Sequence, residues 1–276
     1  MERVAKYSPE EIVEKLGLKP VTTYQSEIIS SPLEPSVVIA GAGSGKTETM
    51  SNRVLYLVAN GFVTPDQILG LTFTRKAAGE LSVRIRKRLR QLAADKDFKH
   101  ITSTSTSVTT YHSYAGKLLS EHAIRYGIDA DAEPLGEAAI WQIASDVVRN
   151  WSDDSYRNQS AVSTVIKDLL GLSKLMLEHQ VNAEDIERIG NEVLLSLQPL
   201  TGSSNAEVRD VAKAMRQRNS LLPMVETFMQ RRKAAGEFSF DDQMSLAADI
   251  AQNFEDVGVL ERGKYKVVLL DEYQDT

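Results

Sequence analysis

The spacing of apolar residues changes several times along this chain, and each change marks an element. "SPEEIVEKLG" (8–17) has helical spacing, with Ser8 as N-cap, Pro9 as first helical residue, Glu11 as capping-box acid and Gly17 as stop. A short helix follows over Tyr24 to Ser30. "SVVIA" (36–40) is an unbroken β-branched run, the pattern of a strand buried on both faces. "KTETMSNRVLYLVAN" then reads as a helix that ends at Gly61. "QILGLTFT" (67–74) is a second strand. The helix "RKAAGELSVRIRKRLRQLAA" follows, with Leu81, Ile85, Leu89 and Leu92 on one face. "STSVTTY" (105–111) is a third strand, and "SYAGKLLSEHAIRYG" a further helix.

From Gly127 to Gly236 only helical periodicity is seen, broken by the polar linkers "WSDDSYRNQS" and "PLTGSSNAE". Trp141 and Trp151 are expected in the core of this block. "FSFDDQMSLAADIAQNF" gives another helix, and "YKVVLLDEYQDT" a last apolar strand that ends in acids. Strand–helix alternation predicts an α/β fold with a parallel sheet and helices on both faces. The middle block reads as an all-helical insertion.

Composition narrows the picture. The 276 residues suffice for one large or two ordinary domains with a hydrophobic core. There is no cysteine, which excludes disulfides and thiolate chemistry. The first residues hold no apolar stretch of signal-peptide length, and no run approaches the ~20 residues of a membrane span, so a cytoplasmic protein without membrane contact is expected. The net charge of −6 gives no general support for nucleic-acid binding, so any such surface must be local. The run "RIRKRLR" carries five basic residues between Arg84 and Arg90; it suits a phosphate-tracking face or a solvated helix face.

The stretch "AGAGSGKT" (40–47) follows the phosphate-loop pattern G-x-x-x-x-G-K-[ST], with Ala40 in place of the first glycine. Gly41, Ala42, Gly43, Ser44 and Gly45 would curl backbone N–H groups around phosphate oxygens. Lys46 would meet the β and γ phosphates, and the Thr47 hydroxyl would ligate Mg²⁺. A glycine-rich turn without a ligand is the bland alternative, but strand before, helix after and Lys-Thr in register speak against it. At the far end, the apolar strand closes on Asp271 and Glu272. Asp271 would hold Mg²⁺, and Glu272 would orient and deprotonate an attacking water. The adjacent acids favour ATP over GTP.

"AGAGSGKT", "LTFTRKAAGEL", "TYHSYAGKLL" and "VVLLDEYQDT", in this order, resemble motifs I, Ia, Ic and II of the superfamily 1A DNA helicases, the UvrD/PcrA/Rep/RecB group. "TTYQSEII" resembles the Q motif of that group. The wording of "GKTETM", "GLTFTRKAAGEL" and "FDDQM" is most similar to the B subunit of actinobacterial AdnAB-type helicase–nucleases.

The resemblance implies a RecA-like ATP-binding domain 1A over 1–113 and 237–276, with a helical insertion domain 1B over 114–236. It implies ATP and Mg²⁺ as cofactors, with Gln25 reading adenine and Gln274 sensing the γ-phosphate alongside the catalytic Lys46 and Glu272. Single-stranded DNA or a 3′-tailed duplex would be the partner, together with a sister helicase–nuclease subunit. Phe73 would stack on a base, with Thr72, Thr74 and Arg75 near the DNA backbone. Tyr111, His112 and Ser113 would make a second DNA contact. One departure is plain: family members often carry arginine after the loop threonine, packed on adenine, where this chain has Glu48, and Arg53 is the nearest substitute. The resemblance further implies a continuation beyond Thr276 with motif III, a second RecA-like domain and arginine fingers. On that basis the sheet is expected to be incomplete, with Val37–Ala40 and Val267–Leu270 separated, and the chain alone nearly inactive. A regulatory P-loop ATPase or nucleotide-dependent binding module, without translocation, is the alternative.

Overall fold

The computed structural model describes residues 4–129, 131–152, 161–198 and 206–275. The chain divides into two compact units, one formed by 1–114 and 254–276 and the other by 115–253. The return to the first unit comes at Phe254, later than the 237 expected from sequence. The reason is packing: the helix Asp242–Asn253 lies against the helix Val162–Glu178 and so stays with the second unit.

In the first unit, α1 (Pro9–Lys15) starts as its sequence dictates. The Ser8 hydroxyl accepts from Glu11 N–H and the Glu11 carboxylate accepts from Ser8 N–H. In α2 (Thr23–Ser30), Thr22 and Gln25 make the same reciprocal cap. The central helix is α3 (Lys46–Ala59), which packs against α1, α2 and α4 (Arg75–Ala93). It buries Val54, Leu55, Leu57 and Val58 against Ile12 and Ile29 and against the predicted apolar stripe Leu81, Ile85, Leu89 and Leu92 of α4.

The sheet has three parallel strands in the order β2 (Ser107–Thr110), β1 (Ile68–Thr72), β3 (Val267–Leu270), flanked by helices. Strand β1 is central and wholly buried, and α4 packs on β1 and β2. The register pairs Thr72 with Thr110 and Leu71 with Leu270, so all three strands end together. Gly70 belongs to this close packing: a Cβ there would meet Val108 side-chain atoms at 3.4 and 3.5 Å.

The first predicted strand differs. Residues 37–40 form no strand, and Val37, Val38 and Ile39 are 80%, 46% and 95% exposed. An apolar run becomes a buried strand only when a neighbour takes up its backbone hydrogen bonds, and among the described residues no strand pairs with it. The segment is also unpaired with β3, whose Val268 and Leu270 are themselves exposed. The sheet is incomplete in the sense expected.

The second unit is helical. Helices α6 (Glu137–Arg149), α7 (Val162–Glu178), α8 (Ala183–Leu197), α9 (Ala206–Ala234) and α10 (Asp242–Asn253) carry most of it. Ala144, Val148, Val165, Leu169, Val225 and Phe228 form its core. Trp151 packs on that core as expected, whereas Trp141, also expected there, is 37% exposed. Arg232 and Asp242 form a buried ion pair, and the Asp242 carboxylate also accepts from Ser239 N–H, which fixes the turn into α10. The polar linkers read at 151–160 and 199–207 fall mostly outside the described residues. Helix α5 (Tyr111–His122) carries the chain from the first unit into the second, and α11 (Glu255–Lys264) precedes β3.

Asn60 ties the N-terminal segment to the end of α3. Its Oδ1 accepts from the N–H of Lys6 and Tyr7 at 2.7 and 2.8 Å, and its Nδ2 donates to the carbonyls of Tyr7 and Tyr56 at 3.0 Å each. Asn60→Ala removes all four and should lower stability by about 1–3 kcal/mol in urea unfolding. An unchanged midpoint would show that the tie carries no weight.

Candidate functional site

The phosphate-loop sequence forms a tight turn at the N-terminus of α3. Gly43 and Gly45 hold φ of +76° and +86°, a left-handed backbone that side chains resist. Crowding adds a second reason at Gly45: a Cβ there would stand 3.0 Å from Gln25 Nε2. Ser44 N–H donates to Gly41 O, and Gln25 Nε2 donates to Ser44 O at 3.1 Å. Gln25 therefore caps α2 with one end of its amide and braces the loop with the other. Gly41, Ala42, Gly43 and Ser44 are exposed, while Lys46 and Thr47 are half-buried. The Lys46 ammonium donates to the carbonyls of Ala40 and Gly41 at 3.3 and 3.4 Å.

Asp271, the first residue after the last strand, lies within electrostatic reach of that lysine. Asp271 is only 9% exposed. Burial pushes its carboxyl above the ordinary value of 3.8, and the charge of Glu272 pushes it further, while the Lys46 ammonium pulls partly back. Asp271 N–H donates to Leu71 O at 2.8 Å, continuing the pairing of β3 with β1. Glu272 is exposed and has φ of +50°, an unfavourable backbone for a non-glycine residue and one found at functional turns. Its carboxylate accepts from the amide of Gln274.

Because the strands end in register, Phe73–Arg75, Tyr111–Ser113 and Asp271 emerge at one end of the sheet, the end where parallel α/β sheets bind ligands. Phe73 is 52% exposed although it follows a buried strand. Thr74 caps α4 by accepting from Ala77 N–H, and Arg75 is exposed. His112 and Ser113 are exposed, and Ser113 exchanges hydrogen bonds with Thr110. Thr72 and Tyr111 differ, for both are buried. The Thr72 hydroxyl donates to Thr74 O, and the Tyr111 hydroxyl donates to Asp271 O at 3.3 Å. Tyr111 thus joins the end of β2 to the acidic end of β3.

Three arginine roles escaped the sequence reading. Arg53 points its guanidinium at the carbonyls of Ile28, Ile29, Ser31 and Pro32, each at 3.0 Å, and closes the C-terminal end of α2. It is committed there and does not replace an arginine at position 48. Arg84 and Arg88 bind Glu48 instead of facing outward with the rest of their basic run. Their i, i+4 spacing puts both arginines on one face of α4, but nothing in it names Glu48 as the partner. Among the described residues, no three His, Asp or Glu side chains are grouped to hold a metal ion. No helix there is long and apolar enough to cross a membrane.

A small parallel sheet flanked by helices, a glycine loop at a helix N-terminus and buried acid at a strand end define the RecA-like class of α/β domain. The UvrD/REP helicase N-terminal domain matches residues 21–276, and the chain belongs to that family. The chain is 27% identical over 270 residues to ATP-dependent DNA helicase UvrD1 of Mycobacterium leprae, covering 97% of this chain and 30% of that protein. It is 30% identical over 260 residues to UvrD1 of Mycobacterium tuberculosis, covering 94% and 29%. It is 25% identical over 260 residues to ATP-dependent DNA helicase PcrA of Staphylococcus aureus, covering 94% and 30%. The chain therefore spans less than a third of the length of these relatives.

Asp271 yields a pH prediction. A carboxyl raised by folding stabilises the fold fully below its unfolded value of 3.8 and loses that contribution as pH climbs through the raised value. Asp271→Asn carries no charge at any pH. It should be more stable than the parent at neutral pH, with an advantage that narrows as pH falls toward 3.8. Urea midpoints across this range check it; a constant difference would remove the electrostatic explanation.

Proposed function

We propose that this chain is the N-terminal motor part of an ATP-driven, 3′-to-5′ DNA helicase or translocase. The observation that carries the reading is the convergence, within one unit, of Lys46, Asp271 and Glu272 with the exposed Phe73 and His112. Unwinding itself is proposed for the whole protein and not for these 276 residues alone.

The backbone of Gly41–Gly45 would wrap the phosphates, and Lys46 would meet the terminal ones. The Thr47 hydroxyl and Asp271 carboxylate would hold Mg²⁺, a hard cation that suits two protein oxygens beside phosphate and neutralises its charge. Glu272 would take the proton of the attacking water. Gln274, already bonded to Glu272, would exchange that bond for the γ-phosphate. Gln25 would read adenine from beside the loop. Single-stranded DNA would lie across the shared strand ends, with Phe73 stacked on a base and Thr74, Arg75, His112 and Ser113 near the backbone. Thr72 and Tyr111 would act from beneath. The Tyr111 bond to Asp271 O gives a direct link between the DNA surface and the metal-binding acid.

The two units support a reading as domains 1A and 1B, with the boundary moved to Phe254. Near-nil hydrolysis by this chain alone is part of the same proposal: an arginine finger contributes ~10³–10⁵ in rate, and Arg53 and Arg88 are already engaged by carbonyls and by Glu48. The stretches "GKTETM", "GLTFTRKAAGEL" and "FDDQM" support an enzyme of the AdnAB B-subunit kind, acting in the cytoplasm in double-strand-break processing or repair with a sister subunit as partner.

Calorimetry with a non-hydrolysable Mg-ATP analogue tests the nucleotide half. Saturable binding should be lost, by tenfold or more on the order of one charged contact, in Lys46→Ala. Equal binding by the variant would reject the loop as the site. Fluorescence anisotropy with a labelled oligonucleotide tests the DNA half. Phe73→Ala should weaken binding by about 1–3 kcal/mol, the worth of one stacked base; no loss would leave Phe73 a chance exposure.

A further inference from the structure

Glu48 poses a problem at this site. It lies in the first turn of α3, two residues after Lys46, and its Cβ is 3.9 Å from where a Cβ on Gly45 would stand. A carboxylate at a helix N-terminus is normally stabilising. Here, however, the same N-terminus is the anion site, so the carboxylate and an incoming phosphate compete for one field and repel each other.

The neighbouring helix answers that charge. Arg88 Nη2 donates to Glu48 Oε1 at 2.7 Å, and its Nη1 donates to Asn52 Oδ1 at 3.1 Å. Arg84 Nη1 donates to Glu48 Oε2 at 3.3 Å. Glu48 and Asn52 are one turn apart on α3, as Arg84 and Arg88 are on α4, so the two helices meet along a short polar seam. The two arginines are not equivalent. The Arg88 side chain is 13% exposed and doubly held, whereas that of Arg84 is 37% exposed and holds one longer bond. Arg84 and Arg88 also line a groove of about 740 Å³ together with Leu16, Leu18, Val83 and Lys87. One carboxylate against two guanidinium groups leaves the cluster with a net positive charge, on a chain whose total is −6.

We propose that Arg84 and Arg88 are positioning residues for nucleotide phosphate, acting through Glu48 to turn the mouth of the loop from repulsive to attractive. They thereby set affinity for triphosphate over diphosphate. This rests on the reading of Gly41–Thr47 as a nucleotide site. Arg88 is the fixed neutraliser. Arg84, more loosely held, is the adjustable charge.

The test is calorimetric binding of Mg-ATPγS and Mg-ADP to the 276-residue chain and its variants, each first shown to melt as the parent does. Arg84→Gln and Arg88→Gln should each weaken Mg-ATPγS by about two- to fivefold, the range for one charge at a helix N-terminus, and weaken Mg-ADP less. Glu48→Gln should tighten Mg-ATPγS. Arg88→Gln should have a smaller effect in the Glu48→Gln background than in the parent, and Arg84→Lys should restore most of the loss. Equal losses for both nucleotides that persist in the Glu48→Gln background would mean that the seam only holds the helices together, and would overturn the proposal. If Arg88→Gln does not fold, the Glu48 and Arg84 variants decide by the same criteria. A parent chain that fails to bind, or binds as well with Lys46→Ala, removes the nucleotide reading and the proposal with it.

Discussion

Strand β1 is hydrogen-bonded on both sides, to β2 and to β3, and all five of its residues are buried. The site depends on that arrangement. Parallel strands in register must release their chains at the same end, so three segments far apart in sequence emerge together: Phe73–Arg75, Tyr111–Ser113 and Asp271–Glu272. A slip of one residue would turn each strand's side chains to the opposite face. Gly70 pairs with Val108, and a Cβ at Gly70 would stand in ordinary contact with that valine. The buried hydroxyl of Tyr111, bonded to Asp271 O, then ties two of the emerging segments to each other.

Charge at the site is handled locally, against the acidic balance of the chain. Each buried or half-buried ion there has a specific partner. Asp271 is held close enough to Lys46 for the ammonium to offset part of the burial penalty. Glu48 has two arginines. The buried side of the Arg53 guanidinium is met by backbone carbonyls at the end of α2, and burial still lowers its basicity. The one strained non-glycine backbone in this region, at Glu272, coincides with the residue read as the base. Stored strain and a destabilised buried carboxyl are the usual signature of positions kept for chemistry rather than for stability.

Much of this was legible from sequence because it is decided by neighbours in the chain. The Ser8–Glu11 capping box, the apolar stripe of α4 and the end of α3 at Gly61 follow from residues a few positions apart, whereas the second cap, between Thr22 and Gln25, was seen only in the structure. The order of the short motifs also picked out the loop and strand-end residues as candidates. The errors have a different origin. Val37–Ile39 read as buried because they are apolar and β-branched, but burial needs a partner strand. The return of the chain at Phe254 depended on the packing of α10 against α7, and the burial of Tyr111 on the proximity of β3.

The sequence by itself therefore determined the helices with their caps, the phosphate-loop turn, the acidic strand end and the family these imply. Local hydrogen bonding and periodic apolar spacing suffice for those. Only the tertiary structure decided that Lys46 acts on Asp271, that Arg53 closes α2, that Arg84 and Arg88 meet Glu48 and that the first apolar run stays uncovered. Each of these depends on which surfaces meet in space, and a guanidinium or a valine carries no local signal of which distant carbonyl, carboxylate or strand will reach it.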